Sequence, residues 1–165
     1  MIIFIIPKNS GLECCKEIVD NLIEDKSKII LVRGEDVPLF VSKLISSGKN
    51  AIGLTGKDLF KEFLLKEKET KLKVLQEIDW PNSVKPKLCL LGPKDKSLDN
   101  LQKSLRVCIN KKYSILAENY LKKLEEKGFC FEKMYLAGST EETFTLGISD
   151  LIIDIVFSGR SAEEA

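Results

Sequence analysis

The residues best suited to chemistry stand near the end of the sequence, in the run Asp154-Ile155-Val156-Phe157-Ser158-Gly159-Arg160-Ser161. A strand pattern ends in a glycine-containing turn, and a helix start signal follows. Backbone N–H groups at such a turn converge on one point, where the helix dipole favours an anion. Gly159 allows close approach and Arg160 adds a positive charge. Ser158 and Ser161 add hydroxyl donors. The run predicts a phosphate site, although ordinary turns share this composition and spacing alone leaves both interpretations open.

Asp154 lies towards the end of the predicted strand Leu151–Val156, just before this turn. A carboxylate at that position can reach a ribose hydroxyl, or a metal ion held by substrate phosphates. The expected ligand is therefore a phosphorylated small molecule, with a ribose phosphate as the first choice.

Three further candidates follow predicted strands. Glu141 stands in a second loop that enters a helix, where an exposed glutamate beside a helix cap is the favoured interpretation in isolation. Lys8 follows the apolar run Ile2–Ile6, and Arg33 follows Lys28–Val32. Both would lie at the carboxyl edge of a parallel sheet, where ligands of open α/β sheets bind. A solvated cation is the alternative at both positions.

Composition excludes several function classes. Histidine is absent, which removes histidine triads, histidine bases and histidine-ligated metals. Lys+Arg 26 against Asp+Glu 25 gives a net charge of +1, so the sequence predicts neither a nucleic-acid nor a membrane partner. The five cysteines form no CxxC pair, and the apolar run Met1–Ile6 is too short for a signal peptide. These features predict a cytoplasmic location.

The elements that position these residues alternate between strands and helices. Strands are predicted at Ile2–Ile6, Lys28–Val32, Ala51–Leu54, Val74–Ile78, Lys87–Leu91, Arg106–Ile109, Phe129–Leu136 and Leu151–Val156. Asp36 is predicted to cap the helix that ends at Gly48, and Ser139 to cap a short helix that ends at Gly147. The predicted helix Tyr113–Lys127 has Leu116, Tyr120 and Leu124 in line and is predicted to stop at Gly128.

Alternating strands and helices predict α/β lobes, each a mainly parallel sheet flanked by helices. The proposed boundaries are residues 1–78 for the first lobe, 79–90 for a hinge or crossing strands, and 91–165 for the second lobe with the phosphate loop.

The ordered motifs resemble the catalytic chains of ATP phosphoribosyltransferase, the enzyme family of the first step of histidine biosynthesis. The signature positions are Glu141, Gly147, Ser149, Ile152, Asp154, Ile155, Ser158 and Gly159. Four other stretches agree, in order along the chain: Ile6-Pro7-Lys8, the segment from Leu31 to Pro38, the segment from Ile52 to Asp58, and the segment from Arg106 to Tyr113.

The resemblance implies a two-lobed fold similar to type II periplasmic binding proteins. It implies a glycosyltransferase that joins ATP to phosphoribosyl pyrophosphate, with Mg²⁺ on the leaving pyrophosphate. By resemblance, Ser158, Gly159, Arg160 and Ser161 would hold the 5-phosphate. Asp154 would engage the ribose hydroxyls directly or through Mg²⁺ and, with Glu141, would form the catalytic pair. Glu141, Lys8 and Arg33 would line the side of ATP and pyrophosphate. A homodimer or higher oligomer is implied as well.

This chain departs from the family pattern in places. The family has Gly-Arg after Pro7-Lys8, whereas Asn9 and Ser10 follow here, and Ala51 replaces the usual Asp. The chain stops at Ala165, so we expect the return segment into the first lobe and the regulatory domain of long forms to be absent, and a separate regulatory subunit to be needed. These departures favour the alternative function, a non-catalytic relative that binds a nucleotide or sugar phosphate.

Overall fold

The structure is a computed structural model, and it describes residues 1–8, 13–21, 28–79 and 86–156. The chain divides into two compact units, Met1–Ile78 and Asp79–Ala165. Each unit has its own sheet.

The first unit is built on a three-stranded parallel sheet. Its strands are β1 (Ile2–Pro7), β2 (Ile29–Val32) and β3 (Asn50–Gly53), in the order β2-β1-β3. The helices are α1 (Glu13–Asp20), α2 (Val37–Ser46) and α3 (Lys57–Lys66), and a 3-10 turn at Gly34–Asp36 precedes α2. The parallel sheet predicted from alternating strands and helices is confirmed.

The core of the first unit lies between the sheet and α2. Ile5, Val32, Val37 and Val41 are buried together. Gly53 lies directly beneath α2, because an added Cβ would stand 2.7 Å from methyl groups of both Val37 and Val41. The absence of a side chain at Gly53 lets β3 and α2 approach this closely.

The second unit holds a four-stranded mixed sheet in the order β4-β7-β5-β6. Its strands are β4 (Lys87–Leu91), β5 (Ser104–Asn110), β6 (Cys130–Leu136) and β7 (Leu151–Val156), with helices α4 (Ser114–Glu125) and α5 (Thr140–Thr145). Strands β5, β6 and β7 are parallel, and only β4 runs antiparallel to its neighbour. The sheet is therefore mainly parallel, as predicted.

Helix α4 covers one face of this sheet, and of the three residues predicted to lie in line on it only Leu124 is fully buried. Ala117, Leu121 and Leu124 are buried, whereas Tyr120 is 43% exposed. Both sets of positions follow helical spacing, so periodicity alone could not choose between two faces one residue apart. The small side chain of Ala117 allows the helix to pack closely on the sheet. Gly128 ends the helical segment with a φ of 96°, as predicted for a residue after a helix.

Three local predictions also fail. Residues Val74–Ile78 form no strand, and Val74 and Leu75 are exposed. An apolar run becomes a strand only when a neighbouring strand accepts its backbone hydrogen bonds. Asp36 and Ser139 stand at helix starts but make no side-chain cap hydrogen bond. Ser139 has a φ of 55°, outside the extended conformation that a capping residue usually adopts. The sequence Ser10-Gly11-Leu12-Glu13 also predicts a capping box, and Ser10 lies outside the described residues.

None of the helices in the described part of the chain has the length and apolar character that a membrane crossing requires.

Candidate functional site

The carboxyl ends of three parallel strands meet at one edge of the second unit. Strand β5 ends at Asn110, β6 ends at Leu136, and β7 ends at Val156. The predicted phosphate residues Ser158, Gly159, Arg160 and Ser161 follow β7 directly and lie outside the described residues. Asp154 is the predicted site residue that the structure places at this edge within β7.

Three donors hold the Asp154 carboxylate. Oδ1 accepts hydrogen bonds from Asn110 Nδ2 at 3.0 Å and from the backbone N–H of Ile155 at 2.7 Å. Oδ2 accepts a hydrogen bond from Thr140 Oγ1 at 2.5 Å. The side chain is half-buried, so an anion stays partly accessible while its orientation is fixed.

The register of the sheet explains why Asn110 reaches Asp154. Strands β5 and β7 pair in parallel with Cys108 opposite Ile152, which brings Asn110, two residues on, beside Asp154. The backbone N–H of Lys112 donates to Asn110 Oδ1 at 3.1 Å. This bond identifies Oδ1 as the acceptor end of the amide, and Nδ2 is therefore the end that turns to Asp154.

Alternation along β7 gives the two faces of the sheet different chemistry. Leu151 and Ile153 belong to the core under α4. Asp154 therefore points to the opposite face, where α5 contacts β5 and β7. Threonines of α5 lie on that face, so the carboxylate of Asp154 contacts a hydroxyl group there and not an apolar surface.

Buried hydroxyls line the contact between α5 and the sheet. Thr140 and Thr143 are one helical turn apart and are 0% and 5% exposed, respectively. Thr143 Oγ1 lies 2.6 Å from the carbonyl oxygen of Thr140 and 2.7 Å from Ser149 Oγ. Ser149 is also buried. The Thr143 hydroxyl thus hydrogen-bonds within α5 and to Ser149, whereas the Thr140 hydroxyl donates its hydrogen bond to Asp154.

Glu141 follows Thr140 on α5 and is half-buried. Its electrostatic influence reaches the buried Cys108 below the helix. Burial raises the pKa of the Cys108 thiol, a hydrogen bond with Thr143 lowers it, and the negative charges of Asp154 and Glu141 raise it. Asp154 and Glu141, predicted separately from the sequence, therefore act on one small region of the second unit.

Lys8 and Arg33 lie together at the corresponding edge of the first unit. Each follows the carboxyl end of its strand, and the backbone N–H of Lys8 donates to the carbonyl of Val32 at 2.8 Å. Both residues are exposed. Thr55 Oγ1 donates to the carbonyl of Gly34 at 3.3 Å, which joins the loop after β3 to the same edge.

Sequence reasoning missed Asn110 and Thr140 as partners of Asp154. Asn110 could have been noticed, because it is the polar residue that ends an apolar strand pattern at a ligand-binding edge. Thr140 lies in the helix start that follows Ser139, and nothing in the local sequence indicates its contact with a strand residue 14 positions away.

The carboxylate of Asp154 is chemically suited to a magnesium ion that phosphate groups also bind. Within the described ranges, no group of three or more Asp, Glu or Cys side chains is placed to hold a metal ion. Mg²⁺ bound with nucleotides and diphosphates needs only one or two protein carboxylates, since phosphates and water supply its other ligands. The single half-buried carboxylate of Asp154 fits that requirement.

Comparisons with known proteins agree on one family. The family HisG, described as ATP phosphoribosyltransferase, matches residues 33–165. The ATP phosphoribosyltransferase of Methanocaldococcus jannaschii is 31% identical over 144 residues, covering 86% of this chain and 45% of the relative. That of Methanococcus maripaludis is 26% identical over 164 residues, covering 96% and 52%. That of Thermotoga neapolitana is 32% identical over 145 residues, covering 84% and 62%. The chain thus spans about half the length of the archaeal relatives.

A solved structure gives the same result. A chain of the ATP phosphoribosyl transferase (HisG:HisZ) complex from Thermotoga maritima aligns with a TM-score of 0.67 at 26% identity. The alignment covers 99% of this chain and 78% of that chain. It confirms the predicted α/β fold similar to type II periplasmic binding proteins.

Proposed function

Because this chain belongs to the ATP phosphoribosyltransferase family, we propose that it carries the catalytic site for joining ATP to phosphoribosyl pyrophosphate. The products are phosphoribosyl-ATP and pyrophosphate, in the first step of histidine biosynthesis. The observation that supports this most is the Asp154 carboxylate, held by three donors at a strand end that leads into Ser158-Gly159-Arg160-Ser161.

The reaction exchanges one bond at the ribose C1. The lone pair of adenine N1 forms the new N1–C1 bond as the C1–O bond breaks and pyrophosphate departs with both electrons. Neither the formation of the N1–C1 bond nor the breaking of the C1–O bond requires a side chain that titrates near neutral pH. This chemistry therefore suits a chain without histidine. Catalysis then depends on positioning the two substrates and on electrostatic stabilisation of the leaving group.

Each predicted residue has a role in this proposal. Ser158, Gly159, Arg160 and Ser161 bind the 5-phosphate of the ribose. Asp154 binds the ribose ring at its hydroxyl-bearing side, and Glu141 contacts the ATP side. Lys8 and Arg33 supply positive charge for the pyrophosphate and the ATP phosphates. The exposed positions of Lys8 and Arg33, after neighbouring strands, support a role in binding large anions.

Mg²⁺ is proposed to enter with the substrate, where it would neutralise charge on the leaving pyrophosphate. We place the enzyme in the cytoplasm, where the thiols of Cys89, Cys108 and Cys130 stay reduced. A homodimer or higher oligomer and a separate regulatory subunit complete the proposal. The HisG:HisZ complex of Thermotoga maritima supports the idea of a second subunit.

The test is release of pyrophosphate from ATP and phosphoribosyl pyrophosphate with Mg²⁺, measured with and without a regulatory subunit. Asp154→Asn should reduce the rate at least tenfold, because the amide has lost the charge and one acceptor oxygen. Asp95→Asn changes an exposed turn residue and serves as the matched control. If the wild-type chain releases no pyrophosphate but phosphoribosyl pyrophosphate still raises its Tm, the chain is the non-catalytic relative instead.

A further inference from the structure

The hydrogen bonds to Asp154 are distributed unequally between its two oxygens. Oδ1 receives the side-chain N–H of Asn110 and the backbone N–H of Ile155. Among the described residues, the hydroxyl of Thr140 is the one donor to Oδ2. Each carboxylate oxygen has about two acceptor positions, so the described donors fill Oδ1 and leave one acceptor position on Oδ2.

The donors also leave the charge of Asp154 intact. An amide, a hydroxyl and a backbone N–H are all neutral groups, and none of the ion pairs in the described part of the chain includes Asp154. The described donors therefore orient the carboxylate without pairing it with a positive charge. An oriented anion with one acceptor position left is suited to bind one hydroxyl donor with a defined direction.

We propose that Thr140 and Asn110 are positioning residues that limit Asp154 to a single ribose hydroxyl, bound through Oδ2. The inference rests on the proposed function, because it assumes that the ligand is a ribose phosphate. The site then depends on one of the two ribose hydroxyls at C2 and C3 and does not depend on the other.

Thr143 provides a matched control for Thr140. Both are buried threonines on the same face of α5. The Thr143 hydroxyl contacts the carbonyl of Thr140 and Ser149 but not Asp154. Replacing either threonine with valine keeps shape and volume and removes one buried hydroxyl, so a general loss of packing would affect both variants alike.

The experiment measures binding, without Mg²⁺, of ribose 5-phosphate, 2-deoxyribose 5-phosphate and 3-deoxyribose 5-phosphate to the full chain. NMR titration detects binding that is weak. For the wild type, one deoxy compound should bind about tenfold to a hundredfold more weakly than ribose 5-phosphate, and the other should bind nearly as well. Thr140→Val should remove this distinction, Thr140→Ser should keep it, and Thr143→Val should keep it.

Three results would overturn the inference. Equal losses for both deoxy compounds would mean that Asp154 holds both hydroxyls. A Thr140→Val variant that keeps the distinction would mean that Thr140 does not position the carboxylate. Loss of the distinction between the two deoxy compounds in Thr143→Val would mean that the effect belongs to α5 as a whole and not to Thr140. Thr140→Ala tests the same contact if the valine variant does not fold.

The same measurements separate this inference from the proposed function. A wild-type chain that releases pyrophosphate but fails the deoxyribose test refutes the inference alone. A wild-type chain that neither binds ribose 5-phosphate nor releases pyrophosphate refutes both.

Discussion

Replacing Gly53 with alanine should destabilise the first unit, although alanine is a small residue. The new Cβ would stand 2.7 Å from Val37 Cγ1 and 2.7 Å from Val41 Cγ2. Ordinary contact begins at 3.4 Å, so both contacts must open by about 0.7 Å. Neither valine can turn away easily, because both are buried and a helical valine has one strongly preferred rotamer.

The expected cost of Gly53→Ala is about 1–3 kcal/mol of unfolding free energy, as for other overpacked cores. A loss of about 2 kcal/mol would move the midpoint of urea unfolding down by about 1 M for a slope of about 2 kcal/mol per molar. Far-UV circular dichroism follows the transition. No glycine-specific backbone conformation contributes, since the φ of Gly53 lies outside the left-handed region.

Gly56 is the matched control, three residues away in the same motif-like segment. An added Cβ there would meet only Leu59 Cδ1, at 3.9 Å, and φ −68° and ψ 145° suit alanine. Gly56→Ala should therefore change stability by about 0.5 kcal/mol or less. A stable Gly53→Ala variant, or equal losses for both variants, would refute the close packing of β3 against α2.

Two further predictions concern the second unit. Leu121→Ala should lower the free energy of unfolding in urea by about 2–5 kcal/mol, because Leu121 is fully buried. Tyr120→Ala should lower it by less than about 1 kcal/mol, because Tyr120 is partly exposed. A larger loss for Tyr120→Ala than for Leu121→Ala would mean that the helix packs on the face that contains Tyr120. Hydrogen bonds from Arg106 hold the pKa of Asp150 below its usual value, so stability from this pair is present above pH 3.8 and is lost as pH falls through the lower folded pKa. In Arg106→Gln the pKa of Asp150, followed by carboxyl NMR, should rise towards 3.8, and an unchanged value would contradict the pairing.

Most strands could be predicted because a short apolar run between polar residues favours a strand over other structures. The predicted bounds of β4 and β7 match the structure residue for residue. The run Val74–Ile78 has the same local character but forms no strand. A sequence pattern reports the local preference for a strand, whereas the hydrogen-bonded partner is a property of the fold.

The candidate site was predictable only in part, for a similar reason. The turn signal after β7 was enough to select Asp154. The groups that orient it are separated from it by 14 and 44 residues along the chain. Their approach depends on the register of β5 against β7 and on where α5 crosses the sheet. Spacing along the sequence predicts neither the register of β5 against β7 nor the position of α5 on the sheet.

A crystal structure of the chain with phosphoribosyl pyrophosphate and Mg²⁺ would show directly whether Asp154 binds the ribose. We expect one ribose hydroxyl to lie about 2.5–3.0 Å from Oδ2 of Asp154, while Thr140 and Asn110 keep their hydrogen bonds to the carboxylate. A ribose bound elsewhere, or an Asp154 side chain released from both partners on binding, would contradict it.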